Sequence, residues 1–202
     1  MRYNRYMMKL VAATHNKGKL AELEEMLGDI CEVIPVSDFT DVEPEENGGS
    51  FEENARIKAK AAFLASGLPS FGDDSGLCVD ALGGAPGIYS SRYAENAEKR
   101  NAKLIAALAD VPEEKRTAKF VCHIVYLDGE REFAVSGECK GRILFEPTGS
   151  GGFGYDPVFF SDDLGKPFGL ASSEEKDEVS HRGRAVGMLK KKLKEIFGKE
   201  HI

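Results

Sequence analysis

The chain has 202 residues, 42% hydrophobic and 30% charged, which is enough apolar content for a packed core and far from a disordered composition. Its 34 Asp and Glu outnumber 27 Lys and Arg, and a formal charge of −7 sets aside a protein built to grip a nucleic-acid backbone or an anionic lipid surface. Cys31, Cys78, Cys122 and Cys139 form no Cys-x-x-Cys pair and no apolar run is long enough to span a bilayer, so buried thiols in a cytoplasmic protein are expected.

Residues 1–7 read as a loose N-terminal extension lacking the apolar stretch of a secretory signal. Leu10 to Ala13 predicts a strand, the polar loop Thr14-His15-Asn16-Lys17-Gly18-Lys19 follows, and Leu20, Leu23, Met26 and Leu27 line a helix ending before Gly28. A second strand is predicted from Glu32 to Val36, then an acidic loop from Asp38 to Glu46. Ser50 with Glu53 has capping-box spacing and opens an Ala-rich helix that runs to Gly67. A strand at Ser70 to Phe71, a turn over Gly72-Asp73-Asp74-Ser75-Gly76 and a strand from Leu77 to Leu82 come next, with Gly83 to Gly87 irregular. Ala94 to Leu108 predicts a helix with Leu104, Ile105 and Leu108 inward. Phe120 to Leu127 and Arg131 to Val135 flank Asp128-Gly129, a strong hairpin signal. A Gly-rich loop at Gly149 to Gly154 precedes an apolar strand from Val158 to Phe160. The closing helix carries one stripe of Val186, Leu189, Leu193, Ile196 and Phe197. With no repeat and no linker, residues 1–202 read as one α/β unit with room for two lobes.

Five places carry polar chemistry. The loop Thr14 to Lys19 lies between a strand and a helix, where backbone N–H groups and the helix dipole suit phosphate, and Lys17 and Lys19 add charge. It is not a Walker A loop, because Leu20 follows Gly18-Lys19 and Ala13 stands where the first glycine belongs. Gly149 to Gly154 spells G-x-G-x-x-G, but Tyr155-Asp156-Pro157 and a strand follow where a dinucleotide fold needs a helix. What remains is a flexible loop flanked by Phe153 and Tyr155 that can fold over a ligand. Asp73 and Asp74, adjacent on an extended chain, point to opposite sides, so one of them faces a given site. Glu43, Glu45 and Glu46 supply further oxygen ligands of the kind magnesium takes together with phosphate and water. Asn54 and Lys58, four apart, share a helix face. Lys176 and Ser180-His181-Arg182 precede or open the last helix. Cations in a first turn oppose the helix dipole, which points to an acid or a polar ring as their ligand. No Ser-His-Asp or Cys-His signature stands out.

Taken in order, these segments resemble the inosine triphosphate pyrophosphatase family, the dITP/XTP diphosphatases, from about Leu10 to Leu193. The resemblance is carried by T-x-N-x-x-K (Thr14, Asn16, Lys19), S-F-x-E-N-A-x-x-K-A from Ser50 to Ala59 and DDSGLCVDALGGAPGIYSSRYA from Asp73 to Ala94. It continues with GFGYDPVF from Gly152 to Phe159, EEK ending at Lys176, and SHRGRA from Ser180 to Ala185. It implies an elongated mixed twisted sheet flanked by helices, with two lobes and a central cleft (ITPase-like, Maf and Ham1 type), usually as a homodimer. It also implies magnesium-dependent hydrolysis of non-standard purine nucleoside triphosphates (ITP, dITP, XTP) to the monophosphate and pyrophosphate. By the same resemblance, Thr14, His15, Asn16, Lys17, Gly18 and Lys19 would hold the triphosphate. Glu46 and Asp74 would bind Mg2+, with Glu43 and Glu45 as alternatives to Glu46, and Asp74 would also be the base for the attacking water. Ser75 would touch substrate, Phe153, Gly154, Tyr155 and Asp156 would form the nucleotide pocket, and Lys176, His181 and Arg182 would read the 6-keto purine.

That last role has a physical basis: hypoxanthine and xanthine present an acceptor at C6 where adenine presents a donor, so buried donors welcome the first and stay unpaired against the second. His15 departs from the small residue that relatives often carry there. The rival readings are a Maf-like pyrophosphatase of other modified nucleotides and a nucleotide-binding protein without turnover. The SHR and FGYD segments favour purine, and the Asp73-Asp74 pair favours turnover.

Overall fold

The structure is a computed structural model and describes residues 7–198; the expected extension at 1–7 lies, Met7 apart, outside the described residues. Strands β1 (Met8–Ala12), β2 (Cys31–Pro35), β3 (Ser70–Val79), β4 (Thr117–Leu127), β5 (Glu132–Ile143), β6 (Phe159–Ser161) and β7 (Lys166–Pro167) make one open mixed sheet in the order β2-β1-β3-β4-β5-β6-β7. β1 runs parallel to β2 and to β3, with Leu10 opposite Val33 and Val11 opposite Ser70. β6 runs antiparallel to both β5 and β7, with Arg142 opposite Phe160 and Ser161 opposite Lys166. The α-helices are α1 (Lys17–Leu27), α2 (Phe51–Ser66), α3 (Ala97–Ala107), α4 (Ser173–Val179) and α5 (His181–Phe197). Contacts divide the described residues into two compact units, residues 7–74, 123–136 and 185–198 in the first and 75–122 and 137–184 in the second.

In the first unit, Leu10, Val11 and Ala12 of β1 are all fully buried, as a parallel strand covered on both faces requires. α1 starts at Asn16, whose side-chain oxygen accepts from the N–H groups of Gly18 and Lys19 at 3.0 and 3.1 Å, and it buries Leu23 and Leu27. α2 starts at Ser50, which accepts from the Glu53 N–H at 3.2 Å. The other half of the expected capping box is not made, because the Glu53 carboxylate reaches one residue further and accepts from the Gly49 N–H at 2.7 Å. Gly67 closes the helix at φ 67°, as anticipated.

The expected turn over residues 72–76 is a correction. These residues form the middle of the ten-residue strand β3. Gly72 serves close approach rather than chain reversal: a Cβ there would run into the Ala55 carbonyl and stand 2.8 Å from the Ala59 nitrogen. Strand and helix therefore lie backbone against backbone, with Ala55, Ala59 and Ala62 as the buried small stripe.

The hairpin at Asp128-Gly129 is present, with the Asp128 carboxylate accepting from the N–H groups of Glu130 and Arg131 at 3.0 and 2.7 Å. β5 runs eight residues beyond the predicted end at Val135. Its inward positions are Val135, Gly137, Cys139, Gly141 and Ile143, and two glycines among them hid the alternation.

The second unit is built on the rings of Phe120, Phe159 and Phe168, with centroids of Phe120 and Phe159 4.6 Å apart, packed with Leu104, Leu108 and Val158. α3 begins later than predicted because residues 87–92 form a 3-10 turn and Asn96 caps the helix through the Lys99 N–H at 2.9 Å. The strand expected from Val158 begins at Phe159 because residues 156–158 are also a 3-10 turn. α4 is separate from α5 and was missed by the periodicity; a complete capping box between Ser172 and Glu175 opens it. Arg116, 1% exposed, donates to the carbonyls of Leu108 and Leu144 at 2.8 Å each and of Val111 at 3.1 Å, tying the end of α3 to the end of β5.

Candidate active site

In the first unit the acidic pair sits in mid-strand, 2% exposed at Asp73 and 5% at Asp74. Alternation along β3 sends them apart, as the extended backbone demands. Asp73 pairs with Lys19 of α1, and Asp74 pairs with α2, where Lys58 Nζ donates to Oδ1 at 2.8 Å and Asn54 Nδ2 donates to Oδ2 at 3.4 Å. Both lysines also donate to the Asp73 carbonyl, Lys19 at 3.5 Å and Lys58 at 3.3 Å. The i, i+4 spacing of Asn54 and Lys58 is thus two hands on one carboxylate. Lys58, seen in the sequence only as half of a helical pair and given no role by the resemblance, is thus part of the carboxylate cluster.

The same Lys58 ammonium lies 2.5 Å from Glu46 Oε1. Of the three loop acids, Glu46 is the one brought to Asp74. Glu43 is taken by His15, whose Nδ1 stands 3.3 Å from it, and Glu45 is exposed. His15 Nε2 also lies 3.3 Å from the Thr40 carbonyl, so this departure from a small residue fastens the first loop to the acidic loop.

Burial raises the pKa of Asp74 above the ordinary carboxylate value, against the pull of Lys58 and Lys19 and with help from Glu46. Burial works to lower the pKa of Lys58, but Asp74 and Glu46 outweigh it and hold the ammonium charged. The result is a sheltered carboxylate with more appetite for a proton than an exposed one, held beside two cations.

The remaining loop residues sit close by in the chain. Thr14 Oγ1 accepts from the Asn16 N–H at 3.1 Å, and Lys17 is exposed. The N–H groups of Gly18 and Lys19, expected to face phosphate, are capped by Asn16 in this structure.

The second unit gathers the other predicted group. Lys176 Nζ donates to Asp156 Oδ2 at 2.8 Å, and the same oxygen accepts from the Phe153 N–H at 2.7 Å. The Lys176 ammonium lies 4.7 Å and the Arg182 guanidinium 5.8 Å from the Phe153 ring centroid. Arg182 donates to the Ser75 hydroxyl at 3.0 Å. His181 stacks on Phe120 with centroids 4.7 Å apart and planes within 13°. Tyr155 is a pillar, its hydroxyl donating to the Ser90 carbonyl at 3.0 Å. Ser180 Oγ accepts from the Gly183 N–H at 3.0 Å, which starts α5 and places His181 and Arg182 in its first turn as anticipated. Lys176, His181 and Arg182 are each 5% exposed or less, so three cationic or ring donors are buried in one unit, two of them against the Phe153 ring and the third against Phe120.

A mixed open sheet with a buried carboxylate–lysine cluster in one unit and a buried cation–aromatic cluster in the other defines the class: the chain belongs to the Ham1 family, whose profile matches residues 10–192. The chain is similar to proteins named dITP/XTP pyrophosphatase, at 47% identity over 190 residues to that of Pseudomonas aeruginosa (92% of this chain, 96% of the relative). It is 49% identical over 193 residues to that of Geobacter sulfurreducens (93% and 97%). Among solved structures, a HAM1 protein from Coxiella burnetii superposes with a TM-score of 0.85 at 39% identity, over 94% of this chain and 100% of that one. A nucleoside-triphosphatase / dITP/XTP pyrophosphatase from Mycobacterium abscessus gives 0.73 at 41% identity, over 90% and 98%.

Proposed function

We propose that this chain hydrolyses ITP, dITP and XTP to the monophosphate and pyrophosphate with the aid of Mg2+, removing them from the nucleotide pool. The observation that carries the reading is the buried Asp74 carboxylate held by Lys58, whose ammonium also holds Glu46. The names of the similar proteins support the substrate class.

The residues fit a magnesium ion, because a cation, the Lys58 ammonium, already sits between two carboxylates. Among the described residues no group of three or more His, Cys, Asp or Glu is gathered, so in this reading Glu46 and Asp74 would hold the ion with the help of substrate and water. When bound, the ion supplies positive charge opposite the phosphate oxygens. Asp74 takes the proton of the water that attacks the α-phosphorus. A new P–O bond forms on one side as the bond to the bridging oxygen breaks on the other, and pyrophosphate leaves. Lys19 and Lys58 offset the charge that gathers on the departing oxygens. Phe153 offers a face to the base, and Lys176, His181 and Arg182 offer donors to its C6 carbonyl; an adenine amino group there leaves those donors unpaired.

The same reading includes a cytoplasmic homodimer. The four cysteines are free thiols, three buried and Cys78 half-buried, and no helix among the described residues is long and apolar enough to cross a membrane. Val42 and Leu64, 74% and 83% exposed and lining one cavity of about 380 Å3, supply uncovered apolar surface for a second copy.

Incubation of the pure protein with ITP, XTP, dITP, GTP or ATP plus Mg2+ should yield pyrophosphate from the first three and little from ATP. Release of orthophosphate, or no turnover, overturns the reading. Lys176→Met should reduce the ITP-to-ATP ratio of kcat/KM by roughly tenfold or more, the worth of a donor matched to a buried acceptor. An unchanged ratio removes Lys176 from base recognition.

A further inference from the structure

Phe153 and Gly154 belong to the Gly-rich loop, and part of what fixes that loop lies outside every sequence motif. On one side the Gly151 N–H donates to the Gly169 carbonyl at 2.9 Å. On the side toward α3 the loop borders a cavity of about 790 Å3, lined by Ala97, Asn101 and Ile105 of the helix and by residues 149–154, so packing does not hold it there. The hydrogen bond from α3 to the loop runs from Asn101 Nδ2 to the Gly154 carbonyl at 3.1 Å.

Asn101 is an odd residue for stability. It is 6% exposed, and its Oδ1 is buried with no hydrogen-bond donor from the described residues. A buried acceptor without a donor counts against folding, and a leucine of similar size in the same place bears no such cost. What Asn101 contributes is its grip on Gly154. Gly154 sits at φ 66°, where a residue without Cβ has the widest freedom and a tether matters most. The peptide unit next to it carries Phe153, the ring that Lys176 and Arg182 face.

We propose that Asn101 is a positioning residue for purine selection: its amide holds the Gly154 carbonyl and thereby fixes the Phe153 ring against which the base is read. This rests on the purine reading above, and its test separates the two. In Asn101→Leu, with folding checked by thermal melting, hydrogen exchange at the amides of residues 151–155 should quicken about tenfold over the wild type. The ITP-to-ATP ratio of kcat/KM should fall roughly fivefold through KM, with kcat for ITP within about twofold. If the leucine variant does not fold, Asn101→Ala carries the same comparison. Unchanged exchange in the loop, or an unchanged ratio in a folded variant, overturns the proposal. A wild-type protein inactive on ITP and XTP whose variant loop still loosens supports the tether and overturns the substrate reading.

Discussion

Asp74→Asn should lower turnover of ITP by about a thousandfold, the scale of losing a positioned general base, and leave the melting temperature within a few degrees. The amide matches the carboxylate in shape and can still accept from Lys58, so packing against α2 survives. What it lacks is basicity. Burial gives Asp74 a raised proton affinity, and an asparagine has none to offer. Stability should not fall much, because the cost of burying a carboxylate with a raised pKa is relieved while the Lys58 ammonium keeps Glu46 as its charged partner. The checks are steady-state kinetics on ITP with Mg2+ and a thermal melt of the same preparation. Near-normal kcat would place the base elsewhere.

Arg116→Ala should cost about 3–5 kcal/mol, the scale of breaking a buried charged hydrogen-bond cluster. The guanidinium satisfies carbonyls of Leu108, Val111 and Leu144, and its removal leaves them buried without those donors while opening a hole beneath Phe145, on whose ring it stacks at 3.9 Å. A loss of that size in a protein this long corresponds to a fall in Tm of roughly 10 °C. Urea unfolding of the variant measures it directly; a change under 1 kcal/mol would mean that water or a neighbouring side chain replaces the donors. Arg116→Lys should fare only a little better, since one ammonium cannot span the fork that a guanidinium fills.

These two residues mark what was and was not legible in the chain. Asp74 stood out because its neighbours in sequence form a contiguous motif, whereas nothing around Arg116 distinguishes it from a surface arginine; its partners come from α3 and the far end of β5. Lys58 and Asn54 were visible as a helical pair, but their shared target was not, since a 3.6 period reports which residues lie on one face and not what that face meets. The polar helix α4 carries too few apolar residues in seven positions for periodicity to register. β5 was cut short because Gly137 and Gly141 occupy inward positions that a larger apolar residue would have announced. Gly72-Asp73-Asp74-Ser75-Gly76 looked like a turn for the opposite reason: glycine and aspartate favour chain reversal in isolation, and a helix backbone pressed against the strand overrode that preference.

Gly72 also bears on how such a protein can drift under mutation. The distance from Asp74 to Asn54 and Lys58 is the width of the gap between β3 and α2, and that width is set where the strand carries a hydrogen in place of a side chain. Any larger group would act as a wedge, lifting α2 and with it both of the groups that hold the carboxylate. The position in this unit with the least chemistry of its own is therefore among those with the least latitude, and neutral change is better tolerated at exposed Glu45, which bears a charge, than at a residue that bears nothing.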